Sequence, residues 1–316
     1  MIEVLNKEKC AGCGACLKVC PTNAIEFYID EEGFNYPKVK IENCINCGLC
    51  EKTCPWLNSK YIDRTEKQKS LFYAAQLKNK SQLNQVSSGG AAWSLALYVF
   101  SLGGIVYGAV QENVDVIFHK RCESLDELKK IRRSKYLQSD LRNCYVQAKT
   151  DLDDNKLVLF IGTGCQIAGF LSFLKKDYEQ LITADVVCHG VPSPKVWKSY
   201  RIENEKNQAA KMIELIYRDK SEGWLNNQYA IAYSNGNVIK EDSSNNPFHR
   251  GYLFGLYSRP SCGACKFNLL PRVSDFTFAD YWMYDGNRFK KSLQEGVSLV
   301  AVNTYKAENI MQDMNS

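Results

Sequence analysis

The stretches CAGCGACLKVCP, residues 10–21, and CINCGLCEKTCP, residues 44–55, decide the fold of the first part of the chain. Each carries three cysteines at three-residue spacing, a fourth cysteine four residues on, and then proline. Cys10, Cys13, Cys16, Cys20 and Pro21 recur as Cys44, Cys47, Cys50, Cys54 and Pro55, an offset of 34 residues. Three thiolates so spaced wrap one face of a 4Fe-4S cubane, and the fourth reaches the other cluster. On that rule Cys10, Cys13, Cys16 and Cys54 hold one cluster, and Cys44, Cys47, Cys50 and Cys20 hold the other. Ala11, Gly12, Gly14, Ala15 and Gly48 are small enough for the backbone to curl round a cluster and aim N–H groups at its sulfurs. A pair of zinc ribbons is the competing reading. Zinc favours two Cys-x-x-Cys pairs per metal, not runs of four closed by proline.

This is the two-cluster bacterial ferredoxin pattern, and it predicts a ferredoxin-like module over residues 1–58. Residues 59–70, SKYIDRTEKQKS, are polar and charged and read as a linker. A different rhythm begins at Leu71 and runs to residue 316. LFYAAQL reads as a strand, and a helix over 90–102 follows the small turn SSGG, residues 87–90. GIVYGAV and VDVIFHK read as a hairpin or as adjacent strands. SLDELKKIRR reads as a helix capped by Ser124, with Glu127 completing a capping box. LVLFIGTG and ITADVVCHG are buried strands entering turns, with the helix QIAGFLSFLKK between them. PSPKVWKSYRIENEKNQAAK is a helix after two prolines, and residues 213–242 alternate as antiparallel strands. The expected fold class is α+β/α/β: the small two-cluster domain plus a larger mixed α/β domain.

With 316 residues, 45% hydrophobic and 24% charged, the chain is long enough for two compact units and is not disordered. The net charge of +5 comes from 40 basic and 35 acidic residues, spread along the chain, which argues against dedicated nucleic-acid binding. The N-terminus has no apolar run of signal-peptide length, so the 14 cysteines are expected in a reducing, cytoplasmic setting as metal ligands or redox groups. Residues 91–110 carry no charge, but Gly103-Gly104 splits them into helix, turn and strand, so no membrane span is expected.

SRPSCGACKF, residues 258–267, poses a second metal question. Cys262 and Cys265 need two partners to complete a site. Cys122 and Cys144 read as small semi-buried hydrophobes. Cys165 and Cys188 each follow a buried strand and lie in a turn, where ligands gather in open α/β sheets. Cys165, Cys188, Cys262 and Cys265 are therefore the candidate ligands of a third 4Fe-4S cluster. A redox-active dithiol and a four-cysteine zinc site are the alternatives. His189, beside Cys188, is a candidate proton donor or an ordinary turn residue. GTGCQIAG, residues 162–169, follows a strand and opens a helix, with Asp185 about 20 residues on. It departs from the dinucleotide fingerprint at Ile167, where glycine is required. Its N–H groups, with Thr163 and Gln166, remain candidates for a phosphate or cluster sulfurs. Ser88, Gly89 and Gly90 form a similar small turn before a helix. Residues 132–140, RRSKYLQSD, combine cations with Tyr136, Gln138 and Ser139, a pattern suited to an anion and a planar ring.

Taken together, SSGGAAWSLALYVFSLGGIVYGAV, RRSKYLQSD, LVLFIGTGCQIAGF, DVVCHGVPSPKVW, SRPSCGAC, SDFTFADYW and EGVSLVAVNT resemble the coenzyme F420 hydrogenase/dehydrogenase beta-subunit family over residues 71–304. The resemblance implies FAD, a cluster beside it, and electron exchange with a hydride-carrying substrate. In the founding members that substrate is coenzyme F420; related chlorophyll-cycle reductases use the scaffold on a pigment. It implies that Cys165, Cys188, Cys262 and Cys265 are cluster ligands. It also places Ser88, Gly89, Lys135, Tyr136 and Gln138 in the flavin-side loops, and Gly90, Ser139, Thr163, Gln166 and Asp280 are further cofactor-binding candidates. Lys135 is expected to hold a phosphate or reduced flavin, and His189 to shuttle a proton. Expected partners are a small-molecule hydride carrier and a ferredoxin-like or other redox protein. A non-catalytic electron-relay subunit is the rival reading. The chain departs from the family at Gly164, where proline is frequent, and it stops at Ser316 where relatives usually continue, so a short or truncated member is expected.

Overall fold

The computed structural model describes residues 1–3, 6–58, 69–226, 228–283, 285 and 293–315. Most of the expected linker, residues 59–68, lies outside them.

The cysteine repeat folds as a structural repeat. Helices α1 (Ala15–Val19) and α2 (Leu49–Thr53) pack together, and the hairpin β1 (Ile25–Ile29) and β2 (Asn35–Val39) lies between them in sequence. Gly14 and Gly48 cap the two helices at φ 71° and 69°, a left-handed conformation that glycine takes without strain. Cys20 and Cys54 close the same helices in extended conformation. The spacing repeat thus becomes two like turns, each presenting three cysteines on one side and sending the fourth away.

The body contains, in order, β3 (Leu71–Ala75), α3 (Lys80–Leu83), α4 (Ala91–Ser101), β4 (Ile105–Gln111), β5 (Ile117–Cys122), α5 (Leu125–Lys129), α6 (Cys144–Asp153), β6 (Val158–Thr163), α7 (Gly164–Leu174), β7 (Leu181–Val186), α8 (Pro194–Gln208), β8 (Met212–Asp219), β9 (Gln228–Tyr233), β10 (Val238–Asp242), α9 (Pro247–Leu253), α10 (Pro260–Gly263), β11 (Phe276–Asp280), β12 (Ser298–Val302) and α11 (Tyr305–Asn315). Among the described residues, seven strands form one sheet in the order β3-β12-β11-β7-β6-β4-β5. Its centre, β4, β6, β7 and β11, is parallel, and antiparallel strands close both edges. Side chains alternate across the pleat. Val158 and Phe160 join the core under α6 and α7, while Leu159 joins the core under α4 and α11. Both faces are therefore covered, which is why the central strands read as unbroken apolar runs. The smaller sheet, β10-β9-β8, is antiparallel and has its own aromatic core around Trp197, Tyr217, Tyr229 and Phe248.

Helix α7 is apolar on nearly every side because it is walled on both. One side lies on the sheet, and the other meets α1 of the module. The charge-free stretch 91–110 is α4, a turn at Gly103-Gly104, and β4. Among the described residues no helix is long and apolar enough to cross a membrane.

Three local readings need correction. The helix expected over SLDELKKIRR ends at Lys129, leaving Arg132 and Arg133 in a loop. Ser124 does cap it, but the Glu127 carboxylate accepts from the Glu123 N–H, one residue before the cap. Helix α8 starts at the second proline, Pro194, with Ser193 as its cap, because the first helical position needs no N–H donor.

Candidate functional site

In the module, a cavity is lined by Cys20, Cys44, Cys47 and Cys50, the four residues assigned by spacing to one cluster. Backbone N–H groups reach these sulfurs: Ile2 donates to Cys50 at 3.3 Å and Ala24 to Cys20 at 3.3 Å. The other set gathers deeper. The Cys13 and Cys16 thiols stand within electrostatic reach of Cys10 and Cys54. Burial pushes the Cys13 thiol up to about 12, so a thiolate there needs a cation, which iron supplies. Among the described residues no group of three or more His, Cys, Asp or Glu closes round a single-ion site. Cys20, Cys44, Cys47 and Cys50 line one space, and both sets fit a cluster by donor type and spacing.

The third set is built by topology. Thr163 of β6 pairs with Val186 of β7, and Cys165 and Cys188 each lie two residues beyond that pair. Cys262 sits in α10, and Cys165 and Cys188 both feel its thiol; Cys188 also feels Cys265. Burial pushes Cys188 up to about 11 and Cys165 higher still. Gly164 has a positive role here. A Cβ at that position would fall 2.7 Å from the Phe267 carbonyl oxygen, so glycine lets the Cys265 loop close over Cys165. The set also meets the module. Gly169, one turn after Cys165 on α7, abuts the Cys13 Sγ, with 2.9 Å between that sulfur and a Cβ built at Gly169. Cys122 and Cys144 stand apart as buried core residues, as their sequence context indicates.

The residues nominated beside the cofactor divide into two groups. Most are turned onto protein partners. Lys135 Nζ donates to the carbonyls of Ala109, Lys130 and Arg132 at 2.9, 3.1 and 2.7 Å, which uses all three of its protons. Burial pulls its pKa down to about 7, opposed by the nearby Cys122. Thr163 and Gln166 form the capping box of α7. Gln166 Nε2 donates to Ser139 Oγ at 3.0 Å, and Ser139 in turn meets His119 Nδ1 at 2.9 Å. Gln138 reaches the module, donating to the Ala11 carbonyl at 3.0 Å. The Ser88 hydroxyl donates to the Val297 carbonyl, and the Gly89 N–H donates to Ser298 Oγ. Gly89 and Gly90 are packing glycines: a Cβ at Gly89 would lie 2.1 Å from the Ala75 oxygen. Asp185 is buried in an ion pair with Arg272 at 2.8 Å. His189 is exposed, with Nε2–H on the Leu253 carbonyl at 3.0 Å and its ring against Tyr252.

Tyr136 and Asp280 do converge, on residues that sequence reading did not single out. Asp280, at the end of β11, is ion-paired with Arg218 of β8. Trp224 and Trp282 stack at 4.3 Å beside the Arg218 guanidinium. Arg218 Nη2 and Trp224 Nε1 are buried without a hydrogen-bond partner, two donors held ready for an acceptor. Tyr136 packs on Tyr252, and Tyr252 Oη donates to the Gly190 carbonyl at 3.2 Å, beside the Cys188 turn. Behind this group, Arg132, Arg133 and Ser134 line an open groove against β8 that encloses about 1000 Å³, part of it continuous with solvent. Unpartnered donors, stacked rings and a basic groove fit a flavin nucleotide. The signal in the sequence was alternation along β8, which shows a strand but not where Arg218 points.

The family described as the C terminus of the coenzyme F420 hydrogenase/dehydrogenase beta subunit matches residues 155–316, and a "4Fe-4S dicluster domain" matches residues 9–58. No curated protein sequence matches the chain. Among solved structures, the chain is similar to one in the xenon-derivatised F420-reducing [NiFe] hydrogenase complex from Methanosarcina barkeri. The TM-score is 0.51 at 18% identity, covering 80% of each chain, which shows a shared fold. With the dicluster domain ahead of a match that spans half its length, this iron-sulfur chain belongs to the coenzyme F420 hydrogenase/dehydrogenase beta-subunit family.

Proposed function

We propose that the chain is an iron-sulfur flavoprotein oxidoreductase that passes electrons between a hydride-carrying substrate and a partner redox protein. One observation carries the reading. Cys165 stands in the first turn of α7, and Gly169, one turn on, abuts Cys13, so a third cluster at Cys165, Cys188, Cys262 and Cys265 would sit against the module. A flavin, when bound, converts between the electron pair of a hydride and the single electrons of clusters. Arg218 and Trp224 offer it two unpartnered donors, and Asp280 fixes the Arg218 fork. Arg132 and Arg133 line the groove suited to its phosphates. Tyr136 and Tyr252 fill the space between this group and Cys188 and keep water out. Lys135 and Gln166 act by holding the loops in place. The substrate class is a hydride carrier such as coenzyme F420, and free thiols suit the cytoplasm.

The test is iron, acid-labile sulfide and FAD per chain, on protein purified without oxygen. About 12 irons and about one FAD are expected, at four irons per cluster, and Cys262→Ser should lower iron to about eight. About eight irons without flavin in the unaltered chain, after reconstitution with both, would make it a ferredoxin-bearing relay.

A further inference from the structure

Arg259 is the body's deepest reach into the module. It stands just before α10 and is 1% exposed. Its Nε donates to the Cys10 carbonyl at 2.7 Å and its Nη2 to the Asn35 carbonyl at 2.9 Å. The same Nη2 lies 3.8 Å from Cys10 Sγ. Nη1 donates to Gln138 Oε1 at 3.3 Å, and the plane lies 4.3 Å from the Tyr36 ring centroid. Gly12 makes the room: a Cβ there would meet three guanidinium atoms at 2.9 to 3.1 Å.

We propose that Arg259 is a positioning residue of the electron path, raising the reduction potential of the inner cluster, at Cys10, Cys13, Cys16 and Cys54, relative to the outer cluster. The proposal rests on the dicluster reading of residues 9–58 and is independent of the flavin. A guanidinium is always charged, and a buried charge needs an opposite one. Among the described residues no carboxylate lies within ion-pair distance of it. The anionic cluster and its thiolates supply that charge, and reduction adds one more negative charge. Hydrogen bonds and local charge are recognised controls on cluster potential. A fixed cation at Cys10 therefore favours the reduced state of the inner cluster. Among the described residues the outer cavity has no arginine or lysine in its lining, and the Met1 ammonium there is paired with Glu51 at 3.5 Å. The same residue also sets a separation. The Cys262 N–H donates to the Arg259 carbonyl at 2.8 Å, while the side chain grips Cys10. One residue thus ties the third cysteine set to the inner cluster.

The experiment is a redox titration of the full chain followed by electron paramagnetic resonance, with iron counted first. Cys47→Ser marks the wave of the outer cluster. In Arg259→Gln the inner wave should fall by at least tenfold in its one-electron equilibrium, which is about 59 mV, while the outer wave stays. Arg259→Lys keeps the charge but not the fork, and should fall by less. An inner wave that does not move in Arg259→Gln, or two waves moving together, overturns the proposal. Equal falls in the Lys and Gln variants overturn the charge argument. If the Gln variant loses iron, Arg259→Met takes its place: a fall of the inner wave with iron retained supports the proposal, and an inner wave that stays where it is overturns it. Absence of iron in the unaltered chain would instead defeat the dicluster reading.

Discussion

The module and the body each gather cysteines, but they differ in what holds the gathering together. In the module the buried apolar side chains are few, chiefly Ile2, Ile25, Phe34 and Tyr36 beside Cys16 and Cys50. A core of that size cannot offset the entropy of ordering some 50 residues, so metal ligation must contribute folding free energy. In the body, Cys165 and Cys188 hang from adjacent parallel strands whose core includes Phe160, Ile167, Phe170 and Leu181. There the fold comes first and the thiols are brought together by it. The module is organised by its iron, and the body presents a site to it.

The sharpest way to break that contrast is to remove the iron. Chelation under reducing conditions should abolish hydrogen-exchange protection in β1 and β2 while β6 and β7 keep theirs. Protection that persists in the module would mean that docking on the body, not metal, holds it. Gly169→Ala tests the shared wall. Its methyl would meet Cys13 Sγ and Tyr145 Oη, each at 2.9 Å. Overpacking of this kind destabilises by about 1–3 kcal/mol, to be read as a lower thermal midpoint. The variant should also loosen the module before the body.

A further effect concerns acid. All three histidines lie in the body. His119 is buried, with Nε2–H on the Ile161 carbonyl and Nδ1 2.9 Å from Ser139 Oγ, contacts that the neutral ring satisfies. Burial holds its pKa down to about 4. The unfolded chain therefore binds more protons between about 6.5 and 4. Stability from this group is complete above that window and is lost as pH falls through it, by about 1.4 kcal/mol per pH unit. Denaturant titrations from pH 7 to 4 should show a shallower decline in His119→Gln than in the unaltered chain.

How much was legible followed the range of the signal. The module's two cysteine runs occupy 12 residues each, so spacing alone suffices to propose their ligand sets. The central strands declared themselves as apolar runs, and Cys165 and Cys188 could be paired because both follow such runs. Gly164 read only as a departure from a frequent proline, yet it admits a loop a hundred residues away. Arg218 and Arg259 carried no local mark, since their partners Asp280 and Cys10 are 62 and 249 residues distant. Lys135 drew attention as a cation in a basic run. Its burial among three carbonyls depends on how β4 and the 130–132 turn fold around it.

Cys47 is the exposed member of its set, whereas Cys13 packs against the body and Cys16 is buried in the module. Oxygen and peroxide arriving from solvent meet the outer cluster first. Damage should therefore proceed inward, and a preparation handled in air should pass through a stage that has lost its external connection while its interior iron is intact. Such protein would still be coloured and still accept electrons from within, yet it would have no terminal through which to deliver them.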